Sequence, residues 1–578
     1  MRGEVFIAAD DRGLILRPAS KADRVSITTE IRRLAEGARI AIDGSDLILS
    51  TLVAVTLLHE KSRFCLDWSP EAKAFIDNFS AGVALRTHAL KRLRKLQQTE
   101  AAEWALRDYD QREILDPHQK IAVAAMTDVL IDGLCLFDEQ GSGKTVMTIH
   151  AFDRMVKQGR VTKLLIFAPK NMLPTWKDDF AKFMGGKYRV EIVAGGRKSK
   201  FEMLMTQADV YVTNYETAQN LEGPLRSLLQ RFSDRVIMAV DESFFVKNAT
   251  AHRSAAIRRL RSFCKRCWML CGTPAPNGAI DVVHQFDVAD GGVTFASIDL
   301  PKDPIALRQR VQTVVEARGL YLRRLKNEVL PELAPKSFER VSIDMEPIQR
   351  GLYAETLTGL IDDVVAADER GFRDLWGSFL ARRMALLQIA SNPKLVFPDY
   401  EQIPPKQEAL ERLLNELITI RGEKVVLWSY FRGTLDQLEH RFSKYGAVRL
   451  DGSVTDMTKR GDAVRSFQQD PTTRLFIANP AAAGAGITLT AARIAVYESF
   501  PMQTAHFLQS IDRIHRRGQT RAAHYYFLLS TGSLDEVEYE RLIAKDKMGF
   551  LLFGDEPPEM HTREFFLRDL NMALERLG

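Results

Sequence analysis

Short apolar runs alternate with longer amphipathic segments over most of this 578-residue chain. From residue 115 onwards, apolar runs of four to six residues are separated by helical stretches of ten or more. Continuous runs this short are typical of parallel strands that are buried on both faces. A first series lies at 163–168, 210–213, 236–240 and 267–271, and a second at 424–429, 447–450, 474–478 and 494–496. The pattern predicts an α/β fold with two doubly wound parallel sheets, each in its own lobe.

Residues 1–108 have a different pattern of apolar and polar residues. Short apolar runs are strand candidates, a turn signal lies at 10–13, and helical segments lie at 70–79 and 84–105. This pattern predicts a small α+β accessory domain that begins with a hairpin. The second helix carries five basic residues, Arg86, Lys91, Arg92, Arg94 and Lys95. A solvated helix face is the simpler interpretation of these charges, and a stripe that faces DNA is the alternative.

The remaining boundaries follow from changes in composition. We expect lobe 1 to span 109–336 and lobe 2 to span 337–545, each with a helical insertion. The polar stretch from about 300 to 410 is punctuated by prolines and would supply the insertions and a hinge. Residues 546–578 are expected to form a helical tail that packs back on lobe 2.

Composition narrows the class of protein. A net charge of +5 is too small for a global polycation, so a nucleic-acid surface would have to be a local patch. Five cysteines in this length argue against a disulfide framework and for a reducing compartment. The start has no signal-peptide layout, and no apolar window is long enough to predict a membrane span.

Three of the cysteines, Cys264, Cys267 and Cys271, lie close together in the sequence and raise the possibility of a zinc site. A second pair of ligands at suitable spacing is missing, and two of the three fall on a predicted buried strand. We therefore expect core thiols at these positions.

Residues 138–145, Asp-Glu-Gln-Gly-Ser-Gly-Lys-Thr, follow an apolar run and precede a helical segment at 146–156. A strand, a glycine-rich loop and a helix in this order place backbone N–H groups and the positive helix end around phosphate oxygens. Lys144 can reach the outer phosphates, and the hydroxyl of Thr145 can bind Mg²⁺. A plain glycine turn is the alternative, and residues further along the chain bear on the choice.

An acidic pair, Asp241-Glu242, ends the apolar run at 236–240, about a hundred residues after the glycine-rich loop. Carboxylates at the carboxyl end of a strand fit a site in which Asp241 holds Mg²⁺ and Glu242 orients the attacking water. An N-cap or turn is the alternative for an aspartate at this position. With the loop present, the pattern favours catalysis.

A basic segment at 509–519 contains Arg513 and Arg516, which are three residues apart and would share one face of a helix. Guanidinium groups brought from a second lobe can neutralise charge on a transferring phosphoryl group, and only when the cleft is closed. A solvated basic helix is the alternative for this segment taken alone.

Further motifs follow these in a fixed order along the chain. In lobe 1 they lie at 115–119, 138–145, 168–170, 212–216, 241–248 and 271–277, and in lobe 2 at 428–431, 449–453, 483–490 and 509–519. Over about residues 115–545 the chain resembles the Swi/Snf-type branch of the superfamily-two helicase-like ATPases, in a compact bacterial or phage form. Two more stretches, 322–331 and 388–394, resemble sequences that are specific to that branch.

The resemblance implies two RecA-like lobes with ATP and Mg²⁺ in the cleft between them. The implied catalytic residues are Lys144, Asp241, Glu242, Arg513 and Arg516. The implied ATP-binding residues are Gln119, which would read adenine, Gly141, Ser142, Gly143, Lys144, Thr145, Gly486 and Gln509. Thr145 and Asp241 would bind the metal, and Thr273 would couple the cleft to DNA. The implied DNA contacts are Lys170, Thr213, Asn214, Tyr215, Ser429, Gly452, Ser453 and Thr488.

Three positions depart from the family pattern. Ser243-Phe244 stands where the family usually has Ala-His, so a polar contact toward the Thr273 motif is lost and coupling would change. Met502 occupies the position of a usual tryptophan, which weakens one expected DNA contact. Asn479-Pro480-Ala481 replaces the usual lead into the motif that follows. None of these changes removes a group that hydrolysis needs.

The implied function is a DNA-stimulated ATPase that translocates on double-stranded or branched DNA. Its work would be fork regression, strand annealing or protein displacement, in DNA repair or replication. Two alternatives stay open: a nucleotide-gated DNA-binding clamp with low turnover, suggested by Phe244, and a motor that acts on stalled RNA polymerase complexes. We expect a monomer without disulfides in the cytoplasm of a bacterial or phage-infected cell, associated with the nucleoid.

Overall fold

The computed structural model describes most of the chain. The described residues are 1–7, 14–34, 41–49, 53–54, 57–58, 64–232, 235–248, 251–275, 278–296, 298–454, 456–483, 487–547 and 562–577. Within these ranges the chain forms three β-sheets, one at the N-terminus and one in each lobe.

The sheet of lobe 1 has seven strands, and every neighbouring pair is parallel. From one edge to the other the strands are Tyr321–Leu322, Gly133–Leu136, Arg266–Leu270, Val236–Asp241, Lys163–Phe167, Val210–Thr213 and Val190–Val193. Central strands are buried along their whole length, as continuous apolar runs predict. Hydrophobic clusters on both faces of the sheet supply the core of this lobe.

The sheet of lobe 2 has six parallel strands. Across the sheet they are Lys336–Ile343, Ala523–Ser530, Ile494–Tyr497, Val425–Trp428, Leu475–Ala478 and Val448–Leu450. The predicted architecture of two doubly wound parallel sheets is confirmed. The edge strand Lys336–Ile343 was not predicted, because partly exposed and exposed residues alternate along it.

Helices cover the faces of both sheets. In the N-terminal region and lobe 1 they are Lys21–Leu34, Pro70–Leu96, Thr99–Ala105, Pro117–Thr127, Lys144–Lys157, Leu173–Met184, Arg197–Leu204, Tyr215–Asn220, Glu222–Arg231, His252–Arg261, Ile280–Asp290, Pro304–Arg318 and Lys326–Val329. In lobe 2 they are Pro347–Ala366, Glu369–Asp374, Trp376–Ser391, Pro405–Leu414, Arg432–Arg441, Met457–Gln469, Pro480–Ala483, Thr504–Ile511, Leu534–Lys547 and Arg563–Leu577.

The N-terminal sheet confirms the predicted α+β unit. Strands Arg2–Ile7 and Leu14–Pro18 pair antiparallel as the expected hairpin, and three further short strands complete the sheet: Ala41–Asp43, Asp46–Leu49 and Cys65–Trp68. The turn signal at 10–13 lies outside the described residues. The predicted break between two helices near residue 80 is wrong, because one 27-residue helix, Pro70–Leu96, runs through it.

Basic residues of this long helix attach it to lobe 1. Arg86 is 8% exposed and donates to Asp290 Oδ2 at 2.5 Å, to Thr294 Oγ1 at 2.6 Å and to the carbonyl of Arg318 at 3.0 Å. Arg92 Nε donates to Asp128 Oδ2 at 2.7 Å. At these two positions, neither the solvated face nor the DNA stripe is correct, since lobe 1 supplies buried carboxylates for them.

The C-terminal helix Arg563–Leu577 packs on lobe 2, as predicted for the tail. Phe566 and Leu570 enter a core shared with the helices Pro347–Ala366 and Trp376–Ser391. The buried guanidinium of Arg383 donates to Glu538 at 2.7 Å and to Asp569 on the tail at 2.8 Å.

Cys264, Cys267 and Cys271 are buried in the core of lobe 1, where core thiols were expected. Burial raises the pKa of the Cys267 and Cys271 thiols to about 12. Among the described helices, none combines the length and the apolar character that a membrane crossing requires.

Candidate active site

The glycine-rich loop lies between the strand Gly133–Leu136 and the helix Lys144–Lys157, at the carboxyl edge of the lobe 1 sheet. Gly141 and Gly143 have φ values of +83° and +90°, a left-handed conformation that favours glycine. A Cβ on Gly143 would also lie 2.5 Å from Gln119 Nε2. The loop therefore has the curled backbone that a phosphate nest requires.

Neighbouring side chains close around this loop. The ammonium of Lys144 donates to the carbonyls of Asp138 at 2.8 Å and Glu139 at 3.2 Å. Gln119 accepts from the backbone N–H of Asp116 at 3.1 Å and donates to the carbonyl of Ser142 at 3.4 Å. The residues predicted to bind phosphate and adenine are thus in direct contact.

Asp241 ends its strand beneath the loop, and three groups hold it. Trp176 Nε1 donates to Asp241 Oδ2 at 3.0 Å, the N–H of Glu242 donates to Oδ1 at 2.9 Å, and the hydroxyl of Tyr215 donates to the Asp241 carbonyl. Burial, and next the charge of Glu242, raise the pKa of Asp241 to about 7. A cation beside this carboxylate would favour its charged form.

Glu242 has a φ of +45° and is the one non-glycine residue with positive φ in the described part of the chain. Such backbone strain is typical of functional sites. Its Oε1 accepts from Gln140 Nε2 at 2.9 Å. Glu242 Oε2, Ser142 Oγ and Thr273 Oγ1 are among the buried side-chain atoms that have no hydrogen-bond partner in the described part of the chain. These free polar atoms fit a polar, anionic ligand with its water and metal.

Arg513 and Arg516 lie on a turn, not on the predicted helix, because the helix Thr504–Ile511 ends before them. Tertiary hydrogen bonds hold the turn in place of helical ones. Arg513 donates to the carbonyls of Gln509 at 2.8 Å and Ile487 at 2.9 Å, and Arg516 donates to Thr488 Oγ1 at 2.9 Å. The two guanidinium groups still converge, since both approach the carbonyl of Ile487.

This turn faces the glycine-rich loop across the seam between the lobes. A Cβ on Gly141 would lie 3.6 Å from Arg516 Cβ. Burial, with the nearby charge of Arg516, lowers the pKa of Arg513 to about 10, and the charge of Glu242 acts in the opposite direction. Gly486, predicted near the nucleotide, lies outside the described residues.

Two family models match the chain in tandem. The SNF2-related domain matches residues 97–395, just over half of the chain, and the helicase conserved C-terminal domain matches residues 405–518.

The chain belongs to the SNF2-related family.

Curated relatives in this family are longer than the chain. It is 25% identical over 543 residues to the DNA repair and recombination protein RAD54-like of Drosophila pseudoobscura pseudoobscura, a match that covers 79% of the chain and 66% of that protein. It is also 25% identical over 459 residues to the ISWI chromatin-remodeling complex ATPase ISW1 of Saccharomyces cerevisiae, covering 74% of the chain and 39% of the relative. The family resemblance of the motifs is confirmed.

A solved structure, the Sulfolobus solfataricus SWI2/SNF2 ATPase core in complex with dsDNA, is similar at 23% identity. That match covers 75% of the chain and 93% of the archaeal chain, with a TM-score of 0.34.

The residues expected to contact DNA in an SNF2-related protein differ in their exposure to solvent. Lys170, Gly452 and Ser453 are exposed, while Asn214 and Thr488 are half-buried. The other three, Thr213, Tyr215 and Ser429, are buried. Their hydroxyls donate to the Val193 carbonyl, the Asp241 carbonyl and Glu498 respectively. In this structure these three side chains are held in the interior by those hydrogen bonds, although only Thr213 lies on a strand.

Two residues that sequence reasoning missed connect the SNF2-related motifs. Trp176 orients the Asp241 carboxylate, and Gln285 joins the acidic motif to the Thr273 motif. Ser243 Oγ donates to Gln285 Oε1 at 2.6 Å, and Gln285 Nε2 donates to the Pro274 carbonyl at 2.6 Å. This path supplies a polar link where Phe244, which stacks on Phe245 at 4.4 Å, makes none. No local pattern marked either residue, since their partners are 65 and 42 residues away.

Replacing Trp176 with phenylalanine should raise the Mg²⁺ concentration for half-maximal ATP turnover by about tenfold. The substitution removes the N–H that stabilises the charged Asp241 carboxylate, so its pKa rises further above its ordinary value. The effect should be larger at pH 6.5 than at pH 8.5, because protons compete better with the metal at lower pH. Mg²⁺ titrations of the steady-state rate at the two pH values provide the measurement.

Trp428→Phe is the matched control for this experiment. Trp428 is equally buried, and its Nε1 has no hydrogen-bond partner among the described residues. The Trp428→Phe variant should lose packing contacts without a change in the Mg²⁺ concentration for half-maximal turnover. An identical Mg²⁺ shift in both variants would contradict the role given to Trp176.

Proposed function

We propose that this chain is a DNA-stimulated ATPase that translocates along double-stranded or branched DNA. One observation carries the proposal: the phosphate loop of lobe 1 and the arginine turn of lobe 2 meet across a seam, with Gly141 and Arg516 in near contact. Neither lobe alone holds a complete site for phosphoryl transfer, so turnover requires both.

The chain's own residues divide the work at this seam. The loop backbone and Lys144 would bind the phosphates, and Gln119 would bind adenine. Thr145 and Asp241 would hold Mg²⁺, which supplies charge neutralisation on the phosphates when bound. Glu242 would orient the attacking water, and its free Oε2 supports that role. Arg513 and Arg516 would stabilise the charge of the transition state from lobe 2.

DNA would be bound along exposed groups at the same edges of the two sheets. Lys170 follows the strand Lys163–Phe167, and Gly452 and Ser453 follow the strand Val448–Leu450. A cation, backbone amides and a small hydroxyl suit phosphate contacts that carry no sequence information, and Ser453 would exchange its hydrogen bonds to Asp451 Oδ1 for such contacts. Closing and opening of the cleft would then move one gripping lobe relative to the other.

A low-turnover clamp would follow if Phe244 uncoupled the acidic motif from Thr273. The hydrogen-bonded path Ser243–Gln285–Pro274 argues against this alternative, because it connects the same two motifs.

Steady-state ATPase assays with blunt duplex, forked duplex, single-stranded DNA and RNA test the proposed function. We expect stimulation by duplex DNA, with forked DNA at least as effective, and little stimulation by RNA. Lys144→Ala should reduce turnover by about 100-fold or more, since the cation on the outer phosphates is lost. Absence of stimulation by any of the four would favour the clamp, and unchanged turnover in Lys144→Ala would exclude the assigned site.

Lys170→Ala should raise the duplex concentration needed for half-maximal stimulation and lower the slope of log affinity against log salt by about 1. Lys265→Ala is the matched control, because Lys265 is also exposed but lies at the opposite, amino-terminal edge of the same sheet, before Arg266–Leu270. Equal effects of the two substitutions would mean that Lys170 contributes only general charge.

A further inference from the structure

The segment 323–326 lies against the glycine-rich loop and is joined to it by several hydrogen bonds. Arg323 Nη1 donates to the carbonyls of Phe137 at 2.5 Å and Gly272 at 2.9 Å, which joins the loop's strand to the Thr273 motif. Arg324 forms an ion pair with Asp138. The N–H of Glu139 donates to the Arg324 carbonyl at 3.0 Å. The segment is thus part of the framework of the loop.

Lys326 continues this framework across the seam. Its backbone N–H donates to Glu139 Oε2 at 2.7 Å, so its backbone is fixed to the loop. Its side chain extends past Gly141, where an added Cβ would lie 3.4 Å from Lys326 Cε. Its ammonium then forms an ion pair with Asp512 and donates to the carbonyl of His515 at 3.0 Å.

These two partners immediately precede the arginines of lobe 2. Asp512 is next to Arg513, and His515 is next to Arg516. The Lys326 side chain is 4% exposed and that of Asp512 is 11% exposed, so solvent screens this pair only weakly. One buried ammonium therefore holds both arginine positions relative to the phosphate loop.

We infer that Lys326 is a positioning residue that places Arg513 and Arg516 for phosphoryl transfer. This inference rests on the proposed function and extends it to a residue of the stretch 322–331, to which the sequence analysis gave no role. Lys326 acts through the turn 512–516 and contacts neither arginine side chain in the described hydrogen bonds.

Loss of the ammonium has a second consequence. Asp512 would keep its negative charge at a poorly solvated position beside the two guanidinium groups, whose pKa values burial lowers and the charge of Asp512 partly restores. The carboxylate would then attract the arginines away from the nucleotide. Removing both charges relieves this competition, so a double variant should not be worse than the lysine variant alone.

The seam also contains a natural control. Arg517 Nη1 donates to Asp116 Oδ2 at 2.7 Å, which is a second ion pair between the same two lobes. The Arg517 side chain is 58% exposed, and such pairs contribute little. Arg517→Gln thus breaks a contact between the lobes without removing a support of the arginine turn.

The test compares Lys326→Met, Lys326→Arg, Asp512→Asn, the double variant Lys326→Met/Asp512→Asn and Arg517→Gln in the full chain. Duplex-stimulated kcat, the KM for ATP and thermal stability are measured for each variant. We expect Lys326→Met to lower kcat by about 10- to 100-fold, because a small displacement of a catalytic group has an effect of this size. The KM for ATP should change by less than about threefold, Lys326→Arg should recover part of kcat, and Arg517→Gln should stay within about twofold.

The outcomes separate this inference from the proposed function. A wild-type chain without DNA-stimulated hydrolysis would overturn the proposed function itself. A stimulated wild type with Lys326→Met no slower than Arg517→Gln would overturn only the inference. Losses that multiply in the double variant, or a fall in kcat/KM that comes from KM alone, would also overturn it, since either result means that Lys326 and Asp512 do not act together on the arginines.

Discussion

Arg513 and Arg516 of lobe 2 lie at the seam with the phosphate loop of lobe 1, where a Cβ on Gly141 would lie 3.6 Å from Arg516 Cβ, and the rest of the active site depends on this arrangement. Arg513 is 5% exposed, and among the described residues its side-chain hydrogen bonds go to the neutral carbonyls of Gln509 and Ile487. Burial of a cation with so little compensation is costly unless an anion completes the site. The seam therefore favours an anionic ligand such as a phosphate. Under the proposed function, binding of ATP at this seam would couple hydrolysis to movement of the lobes.

The acidic motif, Asp241-Glu242, is held in a fixed geometry by its neighbours. Asp241 is oriented by Trp176 and Tyr215, and Glu242 keeps a strained backbone and a free carboxylate oxygen. Gln285 links Ser243 to the carbonyl of Pro274, which is next to Thr273, so the acidic motif and the Thr273 motif share a polar path despite Phe244. The buried pair Lys326–Asp512 connects this site to lobe 2.

The sequence predicted those features of the molecule that depend on interactions between residues close together in the chain. Continuous apolar runs located the central strands, and the loop 138–145 and the pair Asp241-Glu242 have spacing that the chemistry demands. Contacts between segments far apart in the chain could not be predicted from the sequence. Examples are the hydrogen bonds of Trp176 to Asp241, of Ser243 to Gln285 and of Arg86 to Asp290. The helix predicted to contain Arg513 and Arg516 ends at Ile511, because hydrogen bonds to Ile487 and Thr488 replace helical ones. Thr213 and Ser429 are buried because their hydroxyls bond to groups in the core.

Single-turnover hydrolysis by Arg513→Ala and Arg516→Ala, with ATP binding measured separately, tests the central claim most directly. If the seam brings both guanidinium groups to the transferring phosphoryl, ATP binding should change by a few-fold while the rate of hydrolysis falls by about 10³-fold or more. Hydrolysis at the wild-type rate in either variant, with duplex DNA present, would contradict the account, because lobe 1 would then complete the chemistry without its partner.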